Sequence, residues 1–184
     1  MPITVTIPAR DLFDPDTNKF ITTAAKTLTF EHSLLSIAKW ESKWHKPYMS
    51  KENRTDEEMR DYFRCMCLND KVDPMIFYAL DSASIKKISE YILDPQTATT
   101  FKKKDERPSR EIITNELVYY WMTELGIPFD PCQKWHFNRL MTLIRVASIK
   151  KQPPKRAGKR EQRDAISRMS AENARRRVLY NTNG

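Results

Sequence analysis

The chain has 184 residues, of which 32 are Lys or Arg and 24 are Asp or Glu, giving a net charge of +8 at neutral pH. This length allows one sizeable domain with an extension and leaves too little chain for two complete hydrophobic cores. Since no apolar run reaches the length of a membrane span and the first ten residues lack the pattern of a signal peptide, we expect a soluble protein that is not secreted.

The first thirty residues predict a small antiparallel β element. Ile3, Val5 and Ile7 alternate with threonines, a pattern typical of a strand with one buried face. After a turn rich in Asp, Pro and Asn, residues 20–22 and 27–30 predict two further short strands. A sheet of this size cannot stand alone, so we expect it to lie on the helices.

From Glu31 onward the apolar residues recur at every third or fourth position, which predicts helices. Residues 31–44 form the first, with Leu34, Ile37 and Trp40 on its apolar face. Short polar residues that can accept hydrogen bonds from free amides mark the starts of the next three helices. These starts are the capping box Thr55–Glu58, the pair Asp73-Pro74, and Ser82 or Ser84.

Two later helices are apolar on more than one side. The fifth is predicted over residues 109–125, starting at the cap Ser109 and ending at Gly126. The sixth is predicted over residues 130–149, with Asp130 as its N-cap. Because each needs neighbours on several sides, we expect a central antiparallel pair, with the first four helices packed around it.

These elements predict a mainly α protein. We expect a bundle of about six helices with a small N-terminal antiparallel β element and a basic, partly helical or disordered C-terminal extension. Residues 1–30 form the β element, and residues 31–149 form the helical body, in one domain with residues 1–30. Residues 150–184 form the extension.

The extension carries all of the net charge. Eleven Lys or Arg stand there against three acidic residues, whereas the preceding 149 residues contain 21 of each sign. Its few apolar residues cannot form a core, so we expect it to be disordered alone and to become helical on a partner. Nucleic acid and an acidic protein surface are both suitable partners, and a simple solvated end explains the charge equally well. The candidate partner-binding residues are Lys150, Lys151, Lys155, Arg156, Lys159, Arg160, Arg163, Arg168, Arg175, Arg176 and Arg177.

Histidine and cysteine give a weak signal for a reactive or metal site. His45 and His136 each follow a tryptophan, and Cys132 precedes His136 by one helical turn. We favour the interpretation that such a histidine forms hydrogen bonds within the bundle. His32, next to Glu31 at a helix start, is expected on the surface.

No other pattern predicts catalysis. The chain has three glycines, none of them grouped, which excludes a phosphate-binding loop of the Walker or dinucleotide type. Its odd number of cysteines predicts reduced thiols, with Cys65 and Cys67 as small buried hydrophobes. We therefore predict a protein that is not an enzyme, with no catalytic residue, no metal and no cofactor.

Tryptophan and tyrosine offer a possible stacking platform for single-stranded nucleic acid. These residues fall on apolar helix faces, so we favour a place in the core. They are Trp40, Trp44, Trp121 and Trp135, with Tyr119 and Tyr120.

Two blocks of sequence, residues 31–47 (EHSLLSIAKWESKWHKP) and 132–146 (CQKWHFNRLMTLIRV), resemble proteins of tailed bacteriophages. Residues 110–113 (REII) and the pair Tyr120-Trp121 add to this likeness, which spans roughly residues 3–149. The family is that of the siphovirus-type tail assembly chaperones, and its specific part in this chain is the two Trp-His blocks.

The resemblance implies a non-catalytic protein that binds the tape measure protein and helps tail tube subunits to polymerise around it. It implies the cytoplasm of the infected bacterial host as the location, and no membrane. Self-association, and nucleic-acid binding through the extension, stay open. The alternative is a structural virion protein, such as a connector, minor capsid or minor tail protein, whose basic extension contacts DNA or other virion subunits. A nucleic-acid-binding regulator is a third hypothesis.

Overall fold

The computed structural model describes residues 1–14, 18–50, 52–101, 111–152 and 159–180. The chain divides into two units, Met1–Ile149 and Lys150–Gly184. The architecture is mainly α with small antiparallel β pairings, which confirms the mainly α class and the β element of the prediction. Within the described ranges, no helix has the length and apolar character needed to cross a bilayer.

The N-terminal segment forms four short strands. They are β1 (Ile3–Ile7), β2 (Arg10–Asp14), β3 (Lys19–Thr23) and β4 (Lys26–Phe30). The three predicted strands correspond to β1, β3 and β4 and are confirmed. Strand β2 was not predicted, because its sequence RDLFD carries three charged residues and few of the β-branched residues that favour strands.

The four strands belong to one long hairpin. Strand β1 pairs antiparallel with β4, and β2 pairs antiparallel with β3. Ile7 lies opposite Lys26 and Arg10 lies opposite Thr23, so two residues on each side separate the ladders and the register continues across the gap. One face of the β1–β4 ladder is buried, and β1 packs against helix α3, described below.

The first helices surround this buried face. They are α1 (Leu34–Trp44), α2 (Asp56–Met66), a 3-10 turn (Pro74–Tyr78) and α3 (Ser82–Leu93). The capping box at Thr55 and Glu58 and the cap at Asp73 are confirmed. The predicted serine cap of α3 is wrong: Asp81 caps this helix by accepting a hydrogen bond from the Ser84 amide at 2.8 Å.

Helices α1 and α2 form the closest helix pair and occupy the centre of the body. The Trp40 indole on α1 is buried and donates a hydrogen bond to the Glu58 carbonyl on α2 at 2.9 Å. Lys43 on α1 forms an ion pair with Asp61 on α2 at 2.6 Å. Buried residues of these two helices and of the β1–β4 ladder form one core together with buried residues of the later helices.

The remaining helices of the body are α4 (Asn115–Leu125), the short α5 (Phe129–Cys132) and α6 (Phe137–Lys151). The prediction that α4 and α6 form the central pair is wrong, because α4 packs chiefly against α1. Each helix buries only one face, through Val118 and Met122 on α4 and through Phe137, Leu140 and Ile144 on α6. The predicted cap Ser109 lies outside the described residues, and the described helix begins at Asn115.

The predicted start of the sixth helix at Asp130 is also wrong. Asp130 has an extended backbone and an exposed side chain, which pairs with Lys134 at 2.6 Å instead of capping a helix. The chain then runs to α6 through His136, which forms a β-bridge with Ser33. A tertiary contact therefore fixes the backbone of this segment, and the local cap signal does not decide its conformation.

The second unit contains helix α7, Lys159–Tyr180. Its apolar residues and its Lys and Arg residues are spread around the helix axis, so no single apolar face emerges. The described side chains of α7 are exposed. Residues 159–180 of the predicted extension are thus helical.

Candidate partner-binding site

The two blocks that carry the family resemblance meet in the interior of the body. The Phe137 amide donates a hydrogen bond to the His32 carbonyl at 2.7 Å. The Leu35 amide donates a longer one to the Gln133 carbonyl at 3.4 Å. The rings of His32 and His136 lie edge to face, with their centres 5.1 Å apart. Residues 31–47 and 132–146 therefore form one scaffold that joins α1 to α6.

His32 is buried, with 2% of its surface exposed, so the prediction that it lies on the surface is wrong. Its Nδ1 is hydrogen-bonded to the hydroxyl group of Tyr62 on α2. The neighbouring Glu31 is also buried and accepts a hydrogen bond from the Tyr91 hydroxyl at 2.5 Å. The prediction was wrong because it took the neighbouring Glu31 as a sign of a surface position. The Glu31 carboxylate instead has a hydrogen-bond partner inside the protein.

His136 confirms the interpretation of a histidine that forms hydrogen bonds within the bundle. Its Nε2 lies 3.0 Å from the Tyr91 carbonyl, to which it donates. Its Nδ1 accepts a hydrogen bond from the Asn138 amide at 3.3 Å. Both ring nitrogens thus have partners when the imidazole is neutral.

Burial keeps both histidines neutral. Desolvation is the main cause that lowers the pKa of His32 to about 3, and the neighbouring His136 and Arg54 lower it further. Desolvation also lowers the pKa of His136. Among the described residues, every buried side-chain nitrogen and oxygen has a hydrogen-bond partner. The cluster is therefore a structural connection between the two blocks, held by internal hydrogen bonds.

The structure does not bring His45 together with the His136 region. His45 is exposed and ends α1 in the left-handed conformation, with φ of 51°. Cys132 is buried beside α6, and Cys65 and Cys67 are only half-buried, so the prediction that those two are fully buried is corrected. No group of three or more His, Cys, Asp or Glu side chains placed to hold a metal ion occurs within the described ranges.

The predicted basic partner-binding residues fall into three groups. Lys150 and Lys151 are exposed in the last turn of α6, and Lys155 and Arg156 lie outside the described residues. Lys159 and Arg160 begin α7. The third group consists of exposed residues on α7, of which Arg176 pairs with Glu172 at 3.2 Å. This group is Arg163, Arg168, Arg175, Arg176 and Arg177.

Helix α4 presents a second apolar surface, which we call the α4 outer face: Leu117, Tyr119, Tyr120 and Trp121. Tyr120 points directly away from the buried Val118 and Met122, with Leu117 beside it. Tyr119 and Trp121 lie at the two edges of the buried face and also pack against the core. Tyr120 is 57% exposed and the other three are half-buried. The prediction that Trp121 and Tyr120 belong to the core is thus wrong for Tyr120 and only partly right for Trp121.

Contacts at both ends hold α4 in place. At its start, the Asn115 amide and side chain donate hydrogen bonds to the Glu41 carboxylate of α1, at 2.8 and 2.6 Å. At its end, Gly126 adopts the left-handed conformation that closes a helix. The Tyr119 ring packs edge to face against Phe129, with the ring centres 5.1 Å apart. The outer face is therefore a rigid surface.

This surface can bind an apolar helix. Apolar side chains on two adjacent turns form ridges into which the side chains of a second helix can pack. Glu116 and Glu124 flank the apolar residues on the same helix, which carries no Lys or Arg. An apolar helix with basic residues beside its apolar stripe therefore fits best.

The spread of apolar residues over several sides of this helix is a signal for this surface. Such a helix needs partners on several sides, and the fully buried residues of α4 lie on one side only. A central position in the bundle predicts that all of its apolar side chains belong to the core, and the exposure of Tyr120 corrects that prediction. Comparison with protein-family models, with curated proteins and with solved structures gives no match for this chain.

Proposed function

We propose that this chain is a non-catalytic binding protein of tailed-phage assembly, which captures an apolar helical segment of the tape measure protein on the α4 outer face. It acts in the cytoplasm of the infected host and assists tail tube formation. The observation that carries the proposal is the exposure of Tyr120 next to the half-buried Leu117, on the side of α4 opposite the buried Val118 and Met122.

Burial of this surface would stabilise a complex. Apolar area removed from water contributes about 25 cal/mol per Å², and aromatic side chains supply much of the binding energy at protein interfaces. A tyrosine and a tryptophan on a fixed helix also lose little side-chain freedom when a partner binds. The outer face of α4 therefore has the chemistry of a binding hot spot.

The family resemblance supports the same proposal from a different direction. The two Trp-His blocks form the scaffold around His32 and His136, and α1 of that scaffold positions α4 through Glu41. The residues that resemble the family are thus the residues that position α4 and its outer face. The tape measure protein is proposed as the partner on the strength of that resemblance.

We further propose that the basic residues of the extension assist binding. The described side chains of α7 are exposed and include five arginines, so they are available to a partner. Its arginines would meet acidic groups of the client or of the assembling tail tube.

Co-expression with the tape measure protein from the same phage tests the proposal. Tyr120→Glu places a charge at the centre of the outer face and should abolish co-purification. Leu93→Glu is the matched control, because Leu93 is 79% exposed on another helix, α3. Loss of co-purification in both variants, or in neither, contradicts a specific role of the α4 outer face.

The alternative is a structural virion protein whose extension contacts DNA or other subunits. The distribution of arginines around α7 favours it, because a polar helix with charge on all sides suits a polyanion. Mass spectrometry of purified particles separates the two functions. An assembly chaperone is absent from mature virions, whereas a connector or minor tail protein is present in fixed copy number.

A further inference from the structure

Helix α6 has an unusual charge pattern. No Asp or Glu occurs from Pro131 to Arg160, and nine Lys or Arg occur in the same thirty residues. Two of these, Arg139 and Arg145, are exposed on the part of α6 that belongs to the body. Residues 1–149 are neutral overall, but positive charge is locally in excess along α6.

Both arginines are held against aromatic rings. The Arg139 guanidinium lies 4.4 Å from the centre of the Trp135 ring, and that of Arg145 lies 4.3 Å from the centre of the Phe101 ring. Stacking fixes the plane of a guanidinium and leaves its N–H edge free to bind a planar or tetrahedral anion. The two charges are thus oriented before any partner arrives.

The helix sets the spacing of these two groups. Six residues correspond to a rise of about 9 Å and a rotation of about 120°, which puts Thr142 between them on the exposed side. The buried face of α6, formed by Phe137, Leu140 and Ile144, points the other way. Arg139 and Arg145 therefore border one solvent-facing strip that also carries a hydroxyl group.

We propose that this strip, defined by Arg139, Thr142 and Arg145, binds the phosphate backbone of nucleic acid without regard to sequence. Guanidinium groups bind phosphate oxygens through two parallel hydrogen bonds. The half-buried Thr142 donates its hydroxyl proton to the Asn138 carbonyl at 2.9 Å, so the two arginines supply the phosphate contacts. A run of phosphates can engage two cations about 9 Å apart along a helix, whereas a single small anion can engage only one. The polymer is therefore favoured over free phosphate.

The strip itself contains no acidic residue. Asn138, next to Arg139, donates hydrogen bonds to the backbone carbonyls of Ile92 and Asp94, at 2.9 and 2.8 Å, and so holds the end of α3 against α6. The Asp94 carboxylate accepts hydrogen bonds from Gln96. The charged groups of the strip are therefore its two arginines.

The test is the salt dependence of binding of the full chain to a fluorescent duplex of random sequence, with a single strand and polyglutamate as further probes. Each phosphate contact to a duplex contributes about 0.9 to the slope of log affinity against log salt. Arg139→Gln with Arg145→Gln should therefore reduce the slope by about 2. Arg139→Lys with Arg145→Lys should keep it, because the charge remains.

Arg60→Gln is the matched control for loss of a stacked arginine. The Arg60 guanidinium lies 5.0 Å from the centre of the Tyr78 ring, and the sequence places Glu57 and Asp61 beside it on α2. For Arg60→Gln, the slope of log affinity against log salt should equal that of the wild type. An unchanged slope in the double glutamine variant would overturn the proposal. So would a loss that lysine does not restore, or equally tight binding to polyglutamate, which would assign the strip to an acidic protein.

Discussion

His32 and His136 lie edge to face in the interior of the body, with ring centres 5.1 Å apart, although 104 positions separate them in the chain. Each belongs to one of the two Trp-His blocks, and each is kept neutral by burial. The contact joins the start of α1 to the start of α6. Its stability therefore depends on both rings remaining uncharged.

Stability should fall as the pH drops below about 6.5. An unfolded histidine takes up a proton near pH 6.5, whereas the folded pKa of His32 is about 3, so the unfolded state binds more protons between these values. The stabilisation that comes from a neutral buried histidine is fully present above pH 6.5. Below this pH the free energy of unfolding decreases by up to about 1.4 kcal/mol per pH unit for each such histidine. His136 acts in the same direction.

Thermal unfolding between pH 7.5 and pH 5 measures this effect. Carboxyl groups with lowered pKa values, such as Glu58 beside Lys46, lose their contribution to stability only below about pH 4.5. They therefore do not affect the change in stability between pH 7.5 and pH 5. His45→Asn, at an exposed position, should leave the profile unchanged. A melting temperature that stays constant from pH 6.5 to pH 5 would show that the buried pair does not control stability.

The capping box of α2 should contribute measurably to stability. The Thr55 hydroxyl accepts a hydrogen bond from the Glu58 amide at 3.2 Å, and Thr55→Ala removes it at an expected loss of about 1 kcal/mol. Thr114→Ala at the start of α4 is the control, because the Thr114 side chain caps no amide of that helix. Urea denaturation should separate the two variants, and equal losses would contradict this assignment.

The end of α1 should become more stable when His45 is replaced by glycine. His45 has φ of 51°, a conformation that glycine adopts without a steric penalty, so His45→Gly should add about 0.5 to 1 kcal/mol. Gly126→Ala tests the opposite change. Gly126 has φ of 69° and open space around its Cα, so a loss there arises from the backbone alone. If His45→Gly lowers the free energy of unfolding instead, the His45 imidazole makes a contact that stabilises the fold by more than the left-handed backbone costs.

The two faces of α4 should differ sharply in their effect on folding. Met122 is fully buried, so Met122→Ala should lower the free energy of unfolding by about 2 to 5 kcal/mol. Tyr120→Ala on the outer face should change it by about 0.5 kcal/mol or less. Chemical denaturation of the two variants checks this difference. A large loss for Tyr120→Ala would place the outer face in the core.

Local signals predicted much of the fold. The alternation in Ile3–Ile7, the apolar spacing of Leu34, Ile37 and Trp40, and the cap at Thr55 each depend on neighbouring residues, and each is confirmed. The prediction was wrong where a contact between residues far apart in the sequence sets the backbone conformation. Asp130 has the sequence of a cap, but the bridge between Ser33 and His136 sets the backbone nearby.

At the candidate site too, the sequence did not predict a feature that depends on contacts between distant residues. Composition alone showed that α4 is apolar on several sides, yet the choice of which side is buried depends on the packing against α1 through Glu41. The sequence therefore identified the residues Tyr120 and Trp121 and assigned them to the core. Their exposure on a rigid helix is what the three-dimensional arrangement adds.

Site-specific crosslinking in infected cells shows whether the α4 outer face binds the tape measure protein. A photoreactive phenylalanine analogue in place of Tyr120 should form a covalent adduct with the tape measure protein, identified by mass spectrometry. The same analogue in place of Leu93 should form none. An adduct of equal yield from Leu93, or no tape measure adduct from position 120, would show that this face is not the binding site.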